Sequence, residues 1–180
     1  IEKELRVSPL MAGLLVKRGI DSVRGARVFL SPTLEDLSDP YLLPGIREAE
    51  ELIRRHIAAR SKILIHGDYD VDGVTSSAVL FRALKRLGAE PFVFLPHRVS
   101  DGYGFTQAGV DSIRKNKANL LITVDCGISA AGLIGEIRNS GVDVIVVDHH
   151  QVPSQGLPHA SVIVHSSLSK SGAAFKDLSA

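Results

Sequence analysis

The chain has 180 residues, 44% of them hydrophobic and 23% charged, which suits one large domain or one domain with a short extra module. Lys and Arg total 21 against 20 Asp and Glu, a formal charge of +1, so no overall basic field marks a nucleic-acid binder and any phosphate affinity must be local. Cys126 is the only cysteine and no apolar run approaches membrane-spanning length, which excludes an internal disulfide framework and a membrane span; with no signal-peptide layout at the N-terminus, a cytoplasmic protein is expected.

Residues 1–45 read as a helical N-terminal region and linker. Leu10, Leu14 and Leu15 recur at helical spacing, Gly19 ends that helix, and Asp21 or Ser22 can cap the next, which runs through Phe29. Residues 31–45 hold Pro32, Pro40 and Pro44 and read as a crossing loop. A longer helix over about 46–59 turns Ala49, Leu52, Ile53 and Ile57 inward. From Lys62 the pattern becomes strand, turn, helix, repeated. Apolar runs at 62–66, 91–95, 119–124, 142–147 and 161–164 alternate with helical stretches near 74–87, 106–116 and 129–139. Continuous apolar runs indicate strands buried on both faces. The expected fold is therefore α/β, a parallel sheet of about five strands flanked by helices over 46–180, preceded by a small helical region.

Three of these runs end in carboxylate or imidazole. The first gives His66, Asp68, Asp70 and Asp72, with Gly73 turning the backbone before a helix from about Val74. The second ends at Asp125, and the third at Asp148, His149 and His150. Carboxylates crowded this closely stay ionised at neutral pH only beside a compensating cation. Oxygen-rich ligation mixed with imidazole favours Mn2+ or Mg2+ over zinc. Asp72 as an ordinary helix cap and the two histidines as solvated loop residues are the bland alternatives. Two cations sharing a carboxylate form a device for phosphoester hydrolysis, with Asp125 the bridging candidate and His149 a ligand. His150 would point elsewhere, to contact the phosphate or protonate the leaving group. Cys126 reads as a small buried residue rather than a nucleophile. Clustered Arg and Lys at helix ends read as charges complementing the helix dipole.

The segments Gly-Asp-Tyr-Asp-Val-Asp-Gly at 67–73, Val-Asp-Cys-Gly at 124–127 and Val-Asp-His-His at 147–150 resemble the signatures of the DHH phosphoesterases. Within that family, residues 95–105 and the N-terminal stretch resemble the bacterial exonucleases specific for single-stranded DNA. The resemblance implies 5′-to-3′ degradation of single-stranded DNA in recombination and repair, with two ions of Mn2+ or Mg2+ in the intact site. It implies His66, Asp70, Asp72, Asp125 and His149 as metal ligands, Asp68 as a further one, and His150 with Asp125 as catalytic. Arg98 would lie close to the substrate phosphate, where a guanidinium grips oxygens bidentately. Tyr103 or Phe105 would stack a base, and Ser76 and Ser77 would offer hydroxyls near the site. A single-strand-binding protein and a helicase are the implied protein partners. Two other readings stay open: a DHH phosphodiesterase acting on short oligonucleotides or cyclic dinucleotides, and a non-catalytic DHH-fold replication scaffold. The family also carries a further acidic motif, a second DHH-associated domain and an OB-fold, which this chain does not reach. His165-Ser166-Ser167-Leu168-Ser169 stands where the family usually has an Asn-Pro turn. The chain therefore reads as a fragment of a longer enzyme.

Overall fold

The structure is a computed structural model that describes residues 1–168 and 178. The last part of the expected 46–180 domain, and Ser169 with the rest of the serine-rich end, lie outside the described residues. The chain divides into two units, residues 1–39 and 40–180.

In the first unit, helices α1 (Glu2–Leu5), α2 (Pro9–Lys17) and α3 (Val23–Leu30) precede a 3-10 turn at Leu34–Asp36. Ser8 caps α2 by accepting the Met11 N–H at 3.2 Å, and Ser22 caps α3 through Gly25 at 3.0 Å. Of the three leucines at helical spacing only Leu15 is buried. The four-residue α1 has too short a periodic pattern to be visible in the sequence.

The second unit opens with a 3-10 turn at Pro40–Leu42 and then α4 (Ile46–Ala58), whose Ala49 and Leu52 are buried. Strands β1 (Ile63–Gly67), β2 (Phe92–Phe94), β3 (Leu120–Val124), β4 (Asp143–Asp148) and β5 (Val162–His165) alternate with α5 (Val71–Arg86), α6 (Gln107–Asn116) and α7 (Ala131–Asn139). The strands form one parallel sheet in the order β2-β1-β3-β4-β5. Every residue of β1 and β3 is buried, as continuous apolar runs require.

Side-chain alternation along each strand divides the core in two. Ile63, Ile65, Leu120, Ile122, Ile145 and Val164 face α4 and α5, while Leu64, Leu121, Val144 and Val146 face α6 and α7. Helix α5 begins three residues before the expected Val74. The physical reason is Asp70, whose carboxylate accepts the N–H groups of Asp72 and Gly73 at 3.0 and 3.1 Å and so satisfies two orphan donors of the first turn. Asp72 thus sits inside that turn, and it is Asp70 that caps the helix. Among the described residues no helix is long and apolar enough to cross a membrane.

The strand order reverses direction at β1. From β1 the chain goes to β2 on one side and then to β3 on the other, so the carboxyl ends of β1 and β3 bound the crevice where open α/β sheets bind ligands. Gly67 and Val124 are partners in register there, and the residues that follow each strand emerge side by side.

Candidate metal centre

Asp68, Asp70 and Asp125 emerge into this crevice, each offering an oxygen within 4.8 Å of the others. Asp125 also forms a second group with His149 and His150 that meets the same limit. Asp125 is therefore common to both, as a bridging carboxylate must be. Its backbone is left-handed, φ 62°, a conformation uncommon for a residue other than glycine, and its N–H donates to Val147 O at 2.9 Å. That turn carries the side chain off the end of β3 and into the crevice.

Among the described residues, Asp68 Oδ2 and both oxygens of Asp125 have no hydrogen-bond donor, although the residues are 0% and 1% exposed. His149 Nε2 stands 3.0 Å from Asp125 Oδ1, within ion-pair range but outside hydrogen-bond geometry. Burial first, and then the neighbouring Asp70, push the Asp125 carboxyl up to about 6. Asp70 moves the other way, held low chiefly by the Gly73 N–H. Buried acceptors without donors, arranged around a shared carboxylate, fit a hard divalent cation.

His150 is held differently. Its Nδ1 lies 2.7 Å from Asp148 Oδ1, and its Nε2 lies 2.8 Å from the Tyr103 hydroxyl. Asp148 is itself fixed by the N–H groups of His149 and His150 on Oδ1 and of Ile128 on Oδ2, at 2.8, 3.1 and 2.9 Å. An ionised carboxylate only accepts, so Nδ1 carries the proton and Nε2 is left to accept from Tyr103. Burial lowers the His150 pKa, but the Asp148 hydrogen bond and charge outweigh it, and the net shift is upward. Burial and then the surrounding acids raise the Tyr103 hydroxyl to about 12, so it stays a donor.

The other expected residues fall around this centre. His66 has the parity of Leu64 in β1, and its ring meets Phe94 and Phe105 at centroid distances of 5.3 and 4.9 Å. It lies outside both metal-competent groups, with Nδ1 3.6 Å from Cys126 Sγ and a buried, unpartnered Nε2. Burial drops its pKa to about 4, which keeps the ring neutral. Asp72 is likewise in neither group. Phe105 is buried against His66, whereas Tyr103 is exposed. Ser77 is the buried serine of α5, and Ser76 is half-buried beside it. Arg98 lies 5.3 Å over the Tyr69 ring, which meets Tyr103 edge-on at 6.2 Å, and Tyr103 meets His150 at 6.0 Å. An aromatic and cationic wall thus runs from Arg98 to the centre. Tyr69 and Asp148 were given no role by sequence reasoning, though both sit inside the motifs. The Cys126 thiol is buried and pushed up first by that burial, as expected of an inert residue. Beside His150 a cleft of about 910 Å³ runs past Tyr103, Gly127 and Ser129 to the start of α7 and Gln155.

The model of the DHH family, N-terminal domain, matches residues 62–176. The chain belongs to the DHH family. Its DHH relatives include the single-stranded-DNA-specific exonuclease RecJ of Bacillus subtilis (strain 168), 41% identical over 92% of this chain and 21% of that protein. The crystal structure of RecJ from Thermus thermophilus in complex with Mn2+ superposes on 97% of this chain and 24% of that one, with a TM-score of 0.73 and 32% identity. The Mg2+ complex from the same organism covers 97% and 20%, with a TM-score of 0.57 and 28% identity. This DHH chain therefore spans about a fifth to a quarter of the length of these relatives. The five-stranded parallel sheet and its helices agree with the fold expected from the sequence.

Proposed function

We propose that this chain carries the metal centre of a phosphodiesterase that degrades single-stranded DNA from its 5′ end, in recombination and repair, with Mn2+ or Mg2+. The observation that carries the reading is Asp125, a buried carboxylate whose two oxygens find no hydrogen-bond donor among the described residues and which belongs to both metal-competent groups. Asp68, Asp70 and Asp125 would hold one ion, and Asp125 with His149 a second. Bound there, such ions supply an activated water and charge compensation at the phosphate. The chain's own groups supply the rest. His150, tied at Nδ1 to Asp148, whose carboxylate favours the imidazolium, would present a protonated Nε2 to the scissile phosphate or leaving oxygen once substrate replaces the Tyr103 hydroxyl. Arg98 would grip a neighbouring phosphate, and Tyr103, released from His150, would stack a base. Ser76 would offer its hydroxyl at the edge of the site.

The resemblance further assigns His66 and Asp72 as ligands. The buried, unpartnered Nε2 supports His66, and Mn2+ titration of His66→Ala and Asp72→Asn decides both. The 910 Å³ cleft beside His150 leaves room for substrate next to that side chain. We also infer a cytoplasmic location and, as partners, single-stranded DNA, a single-strand-binding protein and a helicase.

The experiment offers the protein carrying this chain end-labelled single strands, duplex DNA, dinucleotides and cyclic dinucleotides, with Mn2+ and then with EDTA. Metal-dependent release of nucleotides from the 5′ end of single strands is expected. Preference for dinucleotides or for 3′ ends would overturn the substrate assignment. Absence of both hydrolysis and micromolar Mn2+ binding would favour a scaffold.

A further inference from the structure

His165, the last residue of β5, is 1% exposed and lies beside Asp148 in register. Its Nε2 is 2.8 Å from the backbone carbonyl oxygen of His150, fifteen residues back along the chain. On the other side of the ring, Nδ1 takes the Ser167 N–H at 3.2 Å and the Ser167 hydroxyl at 2.8 Å. A backbone carbonyl only accepts and a backbone N–H only donates. The tautomer is therefore determined: Nε2 carries the proton and gives it to the His150 carbonyl, while Nδ1 accepts.

His150 lies two residues beyond the end of β4, where the sheet ladder no longer holds its backbone. Asp148 pins the peptide on the N-terminal side of its Cα through the His150 N–H. His165 pins the peptide on the C-terminal side through the carbonyl. With both flanking peptides fixed, the direction of the Cα–Cβ bond is fixed, and the imidazole is aimed before any substrate arrives. We propose that His165 is a positioning residue for His150, locking the backbone from which that side chain projects; the proposal rests on the reading of His150 as the group at the scissile phosphate.

The test compares His165→Gln, which can keep an amide N–H at the position of Nε2, with His165→Met, of similar length but without a donor, both in the full chain. His165→Met is expected to lower kcat by roughly 10- to 100-fold, the usual effect of losing a supporting hydrogen bond, with KM and Mn2+ affinity little changed. His165→Gln is expected to restore kcat to within about threefold of the unsubstituted protein, the range of an intact hydrogen bond. A folded His165→Met with full kcat overturns the proposal. So does a His165→Gln that loses as much kcat as His165→Met, because the residue would then serve only packing. Should His165→Met fail to fold, the result with His165→Gln decides. An independent readout is the 15N–1H spectrum of the imidazoles. The Nε2–H tautomer of His165 supports the geometry and the Nδ1–H tautomer refutes it, whether or not the protein hydrolyses DNA. If the unsubstituted protein shows no hydrolysis, the functional reading fails while that spectrum still judges the contact.

Discussion

Gly73 stands in the first turn of α5, where the helix meets the turn after β1. A Cβ built on it would lie 2.4 Å from both the N and the O of Asp68 and 2.7 Å from its carbonyl carbon. These are backbone atoms, about 1 Å inside an optimal separation of about 3.5 Å, so no side-chain rotation relieves them. In Gly73→Ala either α5 or the Asp68 peptide must move. Forced overpacking of this kind costs about 1–3 kcal/mol, against which alanine gains about 1 kcal/mol in helix propensity. The net loss is then up to about 2 kcal/mol, or up to roughly 8 °C in thermal midpoint for a chain of this size. The larger effect falls on the centre, because Asp68 and Asp70 flank the displaced turn, and Mn2+ affinity is expected to drop by about 10-fold or more. Gly135→Ala in α7 is the control. Its Cβ meets nothing within 4 Å, so propensity acts alone and stability should rise by up to about 1 kcal/mol. Calorimetry with and without Mn2+ on both variants checks the pair. Unchanged melting and unchanged Mn2+ binding in Gly73→Ala would refute the claim that the close approach of α5 to Asp68 sets the ligand geometry.

Asp125→Asn keeps the shape and tolerates the left-handed backbone, but removes the charge. In EDTA it should melt at or above the temperature of the unsubstituted protein, and it should lose the Mn2+-induced stabilisation, which is about 2.7 kcal/mol at 100 times Kd for a single site. A retained Mn2+ shift would count against Asp125 as a ligand. Asp148→Asn weakens the hold on the His150 ring and should lower kcat by roughly 10- to 100-fold with little change in KM, measured at saturating metal. At the opposite end of the sheet Asp143 receives His56 at 3.1 Å, Arg138 at 3.0 Å and Ser161 at 2.9 Å. Burial raises the Asp143 pKa, but the His56 and Ser161 hydrogen bonds and the Arg138 charge bring it below the ordinary value. A lowered folded-state pKa gives stability that is present above the unfolded value of about 3.9 and is lost as pH falls through the folded one. Melting temperature should therefore decline below about pH 4, and Asp143→Asn should flatten that slope. An equally steep decline in the variant would remove Asp143 as the cause.

The strands were legible because buried parallel strands need unbroken apolar runs, and the helices because α4, α6 and α7 each repeat apolar residues on one face. The start of α5 was not, since Asp68, Asp70 and Asp72 are all competent caps and only backbone geometry selects Asp70. Strand alternation puts His66 on the face of Leu64, while Asp68 and Asp70 lie beyond the strand. The contact between Tyr103 and His150 joins residues 47 apart, and no periodicity announces it. Asp148 was visible as part of a motif, but its grip on His150 depends on a turn that folds the chain back on the carboxylate.

Asp68 and Asp125 are delivered by neighbours in the sheet whose codes lie 57 positions apart in the primary structure. The group of Asp68, Asp70 and Asp125 does not exist until β1 and β3 have zipped together, nor the group of Asp125, His149 and His150 until β3 and β4 have, distant pairings of the slow kind. Cation uptake should thus report completion of the native topology rather than accompany early collapse, and stopped-flow Mn2+ binding during refolding would trail the appearance of helix. The same dependence would give a bound ion leverage over the second unit: it would grip the seam between two strands, so occupancy would resist their separation.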